Sequence, residues 1–296
     1  MKILRTFRSI WNEGAPPTRL DFFRIAFSLA CLALIRSLIP DSSADLPNCM
    51  WNPPGLAHFL LPQPLTLEVI NFLAIAFAVG LVLLTLGLFS RISAFACGCL
   101  SFVLLGTSHA AYFFNTSGNS LVLVFFVLSA SPSLGSTLSL ARLWNISEVY
   151  SDSDRIWPQR LIQFLFFFLF FAAGMSKILA FNHWADSENL TAILRWTRAN
   201  YGPATTGSLR DSFHHFLVTS PALLNAIGFM TIATELSAGA FFFVRRFRIA
   251  GVLIILGLHL GIMYTMYFGY ILICPLYLIF VPWERLWSGL ISFRKR

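Results

Sequence analysis

Long apolar runs separated by short polar segments dominate the chain. About eight of them reach the roughly 20 residues that a helix needs to cross about 30 Å of hydrocarbon. The runs cover approximately residues 20–39, 67–89, 92–113, 119–141, 160–181, 221–244, 249–267 and 269–287. This pattern predicts an all-α fold, a polytopic transmembrane helical bundle. The fourth run has the least sharply defined end, because Ser131-Pro132-Ser133 interrupts it.

Lys and Arg are unevenly divided between the segments that join these runs. With a cytoplasmic N-terminus, most of them fall on the inner side, and the outer segments hold only Arg36, Arg195, Arg198 and Arg210. Cytoplasmic loops retain Lys and Arg, so the asymmetry predicts an even number of spans and two cytoplasmic termini. Residues 1–19 are then a basic interfacial N-terminal segment, 20–287 a single transmembrane domain, and 288–296 a basic cytoplasmic tail.

Composition narrows the class of protein. The chain of 296 residues is 57% hydrophobic and 11% charged, whereas about a quarter of the residues in a soluble domain are charged. The net charge of +8 is explained by orientation in the bilayer, and no basic face indicates nucleic-acid binding. The five cysteines show no spacing typical of a metal site or a disulfide framework, and Cys97-Gly-Cys99 is interpreted as helix packing.

Two of the predicted outer segments are too long to be simple turns. They cover about residues 40–66 and 182–220, and the second contains Trp184 and the pair His214-His215. Residues 190–198 combine apolar, aromatic and basic side chains, as a helix in the membrane interface does. Two interpretations stay open: the segments cap a cavity that opens to the outer face, or they only anchor the protein in the interface.

A few polar side chains fall within the predicted spans. An ionisable group there costs several kcal/mol unless it is paired or hydrated, so each one is a candidate functional residue. They are Arg24, His109, Lys177, Glu235 and His259, with Asn119 as a polar companion at a helix start.

Depth in the bilayer sorts these residues into two predicted clusters. At 1.5 Å per residue, Glu235 and His259 lie roughly 15 Å from the inner surface, which makes them candidates for a direct pair. Arg24 is about one turn inside the first helix and either reaches toward Glu235 or extends to water. Lys177 lies near the outer surface, at a level similar to that of Asn119 and His109.

Lys177 has two interpretations of its own. Its long side chain either extends outward to water or faces a neighbouring helix across the small residues 172–174, Ala-Ala-Gly. In the second case desolvation favours the neutral amine, which accepts a proton near neutral pH. Lys177 would then be a general base.

Several motifs resemble a known family. Residues 171–179 (FAAGMSKIL) with Trp184 resemble the helix of vitamin K-dependent γ-carboxylases that carries an aromatic residue, a Gly, a catalytic Lys and a Trp. Residues 235–239 (ELSAG), His259 and the turn 268–270 (FGY) are similar to later helices of that family, in the same order. Bacterial proteins of this kind are grouped as the HTTM domain family, which includes SdpB-like accessory proteins of peptide-toxin maturation.

The resemblance implies that Lys177 is the base that deprotonates a reduced, vitamin K-like quinone, with Asn119 as a second catalytic residue. Arg24, His109, Glu235, His259 and Trp184 are then substrate-binding or structural polar residues. The carboxylases have an Asn-His pair where this chain has Asn119-Ser120, and they have a large lumenal region that this chain lacks. We therefore expect quinone binding or oxidation.

Three functional hypotheses follow. The first is a carboxylase-like or quinone-oxidising enzyme of the bacterial inner membrane, in contact with the lipid bilayer. The second is a non-enzymatic membrane partner for the maturation or export of a secreted peptide. The third, a transporter, is disfavoured because the sequence shows neither an inverted repeat nor paired broken helices. Haem, metal and classical hydrolase sites are disfavoured because their ligand pairs and nucleophile motifs are missing.

Overall fold

The computed structural model describes residues 17–38, 51–53, 55–111, 117–144, 157–180, 183–202, 207–266 and 271–283. Within these ranges the regular structure is entirely helical and contains no strand, which confirms the predicted all-α class. The chain divides into two compact units. The first comprises residues 1–163 and 271–296, and the second comprises residues 164–270.

The described part of the first unit contains six helices, the start of a seventh and a ten-residue 3₁₀ helix. Its elements are α1 (Pro17–Ala33), α2 (Leu56–Leu60), α3 (Leu67–Leu86), α4 (Ser90–Ala111), α5 (Ser117–Ala130), α6 (Leu140–Leu143), the start of α7 (Trp157–Ala180) and the 3₁₀ helix Ile271–Phe280. Helix α4 packs against α3 and α5, α1 packs against α3, and the 3₁₀ helix packs against α1 and α5. Phe27, Phe77 and Phe125 meet in the core, with ring centroids 5.1 to 5.9 Å apart.

Local sequence sets the helix ends in this unit. The Thr66 side chain accepts a hydrogen bond from the backbone N–H of Val69 at the start of α3. Gly87 directly follows the last residue of α3, and its φ of 75° is a left-handed conformation that glycine adopts without strain. Helix α5 ends at Ala130, so the predicted run 119–141 is not one helix. Pro132 lacks the backbone N–H that a continued helix would require, so the chain forms a turn after Ala130 instead.

The second unit contains two long apolar helices and two shorter amphipathic ones. Its elements are the rest of α7, then α8 (Ser187–Tyr201), α9 (Leu209–Val218), α10 (Pro221–Phe243), the 3₁₀ turn Arg245–Phe247 and α11 (Arg248–Met266). Helix α10 packs against α11 and α8, and α9 packs against α8, α10 and α11. Much of the predicted outer segment 182–220 is therefore helical.

Five of the described helices are long and apolar enough to cross a membrane. They are Leu67–Leu86, Ser90–Ala110, Trp157–Leu179, Pro221–Phe243 and Arg248–Met266, and two shorter apolar helices are Gly118–Ala130 and Ile271–Phe280. At most 50% of any of the five apolar windows is buried within the protein. Apolar side chains left exposed on this scale require lipid as their solvent, so the protein is an integral, multi-pass membrane protein. The total of about eight spans, the cytoplasmic termini and the bounds of a single domain stay predictions; residues 1–16 and 284–296 lie outside the described ranges.

Candidate functional site

Lys177 and Glu235 form a direct ion pair in the second unit. Lys177 lies one turn before the end of α7, and Glu235 lies in the middle of α10. The Lys177 Nζ donates to both carboxylate oxygens of Glu235, at 2.7 Å each. The two side chains are only 16% and 5% exposed. The pair thus joins an acid and a base at hydrogen-bond distance with little access to water.

Gly174 allows the two helices to come this close. A Cβ at position 174 would lie 2.9 Å from the Cβ of Glu235 and 3.1 Å from the backbone N of Leu236. Real Cβ atoms do not approach other atoms so closely, so only glycine fits without a shift of the backbone. Gly174 is one turn before Lys177, which brings the ammonium group to the same face of α7. The interpretation that Lys177 faces a neighbouring helix is correct.

An aromatic ring covers the ammonium group. The Lys177 Nζ lies 4.8 Å from the centroid of the Trp184 ring, within the range of a cation–π interaction. The next residue, Ala185, packs closely on α10, because a Cβ at Gly228 would lie 2.9 Å from the Ala185 Cα. Lys177, Glu235 and Trp184 together form what we call the lysine site.

The lysine site places a proton donor and a proton acceptor 2.7 Å apart. In water an ammonium–carboxylate pair stays charged, but burial penalises both charges. Transfer of one proton from the Lys177 Nζ to a Glu235 oxygen removes both charges and leaves a neutral amine beside a carboxylic acid. The amine can then accept a proton from a bound molecule. The ion pair is therefore compatible with the predicted role of Lys177 as a base.

Glu235 is not in the cluster to which the sequence assigned it. We expected Glu235 deep on the inner side and Lys177 near the outer surface, and the direct contact between them shows that this separation is wrong. Counting residues from the ends of two helices assumes that these ends lie at equal depth, and that assumption fails for α7 and α10. His259 is buried on α11, and its ring centroid lies 5.0 Å from that of Phe170.

Arg24 belongs to a separate polar cluster in the first unit, which we call the aspartate node. Its guanidinium donates to the backbone carbonyls of Leu84, Thr85 and Leu138, and its Nε lies 3.4 Å from an Asp21 oxygen. Arg24 and Asp21 are both 0% exposed. Of the two interpretations of Arg24, extension to water is wrong, because backbone carbonyls and a carboxylate hold the side chain inside the protein.

A cavity in the first unit is lined by two other predicted site residues. It has a volume of about 300 Å³, and His109 of α4 and Asn119 of α5 contribute its polar side chains. The remaining lining is apolar and includes Leu56, Phe102 and Leu123. At Gly106 a Cβ would lie 3.0 Å from that of Ala57, so α2 closes tightly over this part of α4. The size and the apolar lining suit a small lipophilic molecule.

The comparison with protein families decides the class of this protein. The model of the HTTM domain matches residues 12–283. The chain belongs to the HTTM domain family. No curated protein and no solved structure matches it significantly. The match covers both units, so the lysine site, the aspartate node and the cavity all lie within the HTTM domain.

The structure distributes six of the seven predicted site residues of this HTTM domain over three places, and the seventh, His259, packs against Phe170. The lysine site contains Lys177, Glu235 and Trp184, the aspartate node contains Arg24, and the cavity contains His109 and Asn119. The predicted proximity of Lys177 to Asn119 and His109 stays a prediction. Among the described residues, no three His, Cys, Asp or Glu side chains are grouped to hold a metal ion.

Sequence reasoning on the HTTM chain missed Asp21. Its carboxylate accepts hydrogen bonds from the backbone N–H groups of Gly135, Thr137 and Leu138 and from the Thr137 hydroxyl, at 2.7 to 2.9 Å. A signal was present, because Asp21 and Arg24 are three residues apart and therefore neighbours on one helix face. Asp21 lies near the predicted start of the first span. A carboxylate is common at such a position, so Asp21 was not selected as a candidate.

Proposed function

We propose that this HTTM-domain protein is a membrane enzyme that binds a lipophilic, vitamin K-like quinone in its reduced form and uses Lys177 as a general base. The observation that supports this proposal most is the lysine site itself. An amine, a carboxylate and an indole ring meet with little exposure to water, on helices that are apolar enough to cross a membrane.

The residues of the lysine site fit a quinone of this kind. The Trp184 ring offers a flat surface for stacking, and the Lys177 Nζ is a hydrogen-bonding group next to that surface. A bound reduced quinone would supply an acidic hydroxyl group. Lys177 would accept the hydroxyl proton at Nζ, and Glu235 would hold the proton that Lys177 gave up beforehand. The low exposure of both side chains would keep water from supplying the proton instead.

Asn119 and His109 have a related part in the proposal. Both line the cavity of the first unit, where their polar atoms can hydrogen-bond to the polar group of a lipophilic molecule. Replacement of Asn119 with Leu removes one of these groups and keeps a side chain of similar size. We expect Asn119→Leu to weaken the binding of a lipophilic molecule in this cavity while the protein stays folded.

The first experiment is a mass spectrum of the small molecules that co-purify with the protein in a mild detergent. Wild type, Lys177→Ala and Arg198→Gln are compared. Arg198 forms a separate ion pair in the second unit, with Asp211 at 3.1 Å, so Arg198→Gln breaks a pair without touching the lysine site. A quinone that is retained by wild type and Arg198→Gln and lost from Lys177→Ala supports the enzyme.

The alternative is the non-enzymatic accessory protein for a secreted peptide. One observation favours it: a two-oxygen ion pair between α7 and α10 is also what a structural cross-link looks like. In that case wild type and Lys177→Ala both carry only ordinary phospholipid, and Lys177→Ala lowers the melting temperature. That result would move the assignment to the accessory protein, with peptide maturation as the activity to measure.

A further inference from the structure

Helix α9 has three distinct faces. About 100° separates successive residues around a helix, which places Asp211, His214 and Leu217 on one side, Leu209, Phe213 and Phe216 on a second, and Ser212 and His215 on a third. The first side is buried, with 7%, 3% and 2% of its side chains exposed. The second is apolar but 83%, 39% and 53% exposed, and the third is polar and exposed.

The buried face fixes α9 in one orientation. Asp211 forms an ion pair with Arg198 of α8 at 3.1 Å, and the His214 Nε2 donates to the carbonyl of Leu194 at 3.0 Å. Leu217 joins Leu190, Leu194 and Leu224 in a small core. Rotation of α9 to bury its phenylalanines would break these bonds. The exposed apolar face is therefore a fixed feature of the fold.

The exposed apolar face adjoins the end of a membrane span. The Phe213 ring lies 5.7 Å from the ring of Tyr264, near the end of α11, and Tyr264 is itself 42% exposed. Arg210 donates from Nε and Nη2 to the carbonyls of Tyr264 and Met263, at 2.6 Å each. Aromatic residues and arginine collect at the depth of the lipid headgroups. Helix α9 thus begins where the lipid-facing surface of α11 ends.

We propose that α9 lies in the interface of the lipid bilayer, with Leu209, Phe213 and Phe216 inserted among the lipid chains and Ser212 and His215 in water. The occupant is lipid because the apolar face continues that of α10 and α11, whose own exposed residues need the same solvent. This inference is independent of the quinone and of Lys177.

Photocrosslinking of the full-length protein tests the two exposed faces one residue at a time. A diazirine-bearing amino acid replaces Phe213, Phe216, Ser212 or His215, and the protein is placed in nanodiscs of phosphatidylcholine and phosphatidylglycerol. Met230 of α10, 69% exposed within a span, is the positive control. After illumination, we expect mass spectrometry to detect phospholipid adducts at positions 213, 216 and 230. We expect no phospholipid adduct at positions 212 and 215.

Two results would overturn the inference. Equal lipid adducts at all four positions of α9 would show that the helix has no water-facing side. Crosslinks from 213 and 216 to a second copy or to another polypeptide, without lipid, would show that a protein covers this face. If substitution of Phe213, which contacts Tyr264, prevents folding, Leu209 provides a second position on the same face at 83% exposure.

Discussion

The aspartate node and the lysine site are both buried charge pairs, but their surroundings differ. Asp21 accepts bonds from three backbone N–H groups and a hydroxyl, and Arg24 donates to backbone carbonyls of two other segments. Lys177 and Glu235 meet side chain to side chain, beneath an indole ring. The first pair fixes the main chain at several points, whereas the second joins α7 and α10 through two side chains only.

This difference makes the lysine site, and not the aspartate node, the candidate for a chemical role. Charges that are tied to backbone groups cannot change protonation without releasing the segments that they hold. A lone lysine–glutamate pair can exchange its proton internally with little movement of the backbone. Burial of a charge in a span is therefore a poor indicator of function unless its partners are known.

The largest effect is expected from Asp21→Ala. Removal of the carboxylate leaves Arg24 buried without its counter-ion and frees the turn at residues 135–138, at a cost of about 3–5 kcal/mol. We expect a large fall in melting temperature or a failure to fold, measured by thermal unfolding in detergent. Asp186→Ala is the matched control, since Asp186 is 57% exposed and pairs with an exposed His183. Equal destabilisation by both substitutions would show that the node is not a structural anchor.

The lysine site should behave differently in a double-mutant cycle. Lys177→Met leaves Glu235 without its partner, while Lys177→Met with Glu235→Leu replaces the ion pair by two apolar side chains of similar size. We expect the single variant to lose stability and the double variant to recover most of it, because well-packed apolar residues can replace a buried pair. Thermal unfolding measures how strongly Lys177 and Glu235 stabilise each other, and the amount of co-purified quinone measures the proposed function.

The two readouts of this cycle distinguish the proposed enzyme from a structural cross-link. In an enzyme with Lys177 as its base, the double variant is stable and retains no quinone. In an accessory protein the double variant is as functional as wild type. Restoration of both properties in the double variant would contradict a chemical role for Lys177.

The sequence predicted the helices better than the pairs between them. Periodic runs of apolar residues are a local property, and each of the five long helices overlaps a predicted span. Which side chain pairs with Glu235 depends on the depth and the rotation of the helices in the bundle. The positions of the loops in the sequence determine neither of these. Gly174 was the useful local signal, because a small residue one turn from Lys177 indicated close helix packing.

The aspartate node illustrates the same limit. Most partners of Asp21 are backbone N–H groups more than a hundred residues away in the chain. Every residue type except proline has such a group, so the order of side chains does not show which ones bind Asp21. Only the turn of 131–139 and its Gly135, with φ of 81°, present these N–H groups to the carboxylate. The sequence marked that segment as an interruption of a span and gave no sign of its partner.

A smaller effect is expected from Gly174→Ala. The added Cβ would meet the Cβ of Glu235 at 2.9 Å, so α7 and α10 must move apart at a cost of about 1–3 kcal/mol. Gly261→Ala on α11 is the control, because a Cβ there meets no atom within 4 Å. We expect a lower melting temperature and weaker quinone retention for Gly174→Ala alone. If both variants match wild type, close packing at Gly174 does not hold the lysine site together.

The smallest effect is expected from Trp184→Leu. This substitution keeps an apolar side chain beside Ala185 and removes the ring over the Lys177 Nζ, an interaction of about 0.5–2 kcal/mol. Trp184→Phe keeps a weaker ring and should give an intermediate result. Stability should change little, whereas quinone retention should fall in the order wild type, Phe, Leu, because the ring is both the stacking surface and the cover of the ammonium group. Equal retention by all three proteins would assign Trp184 to packing alone and would leave the lysine–glutamate pair as the whole of the site.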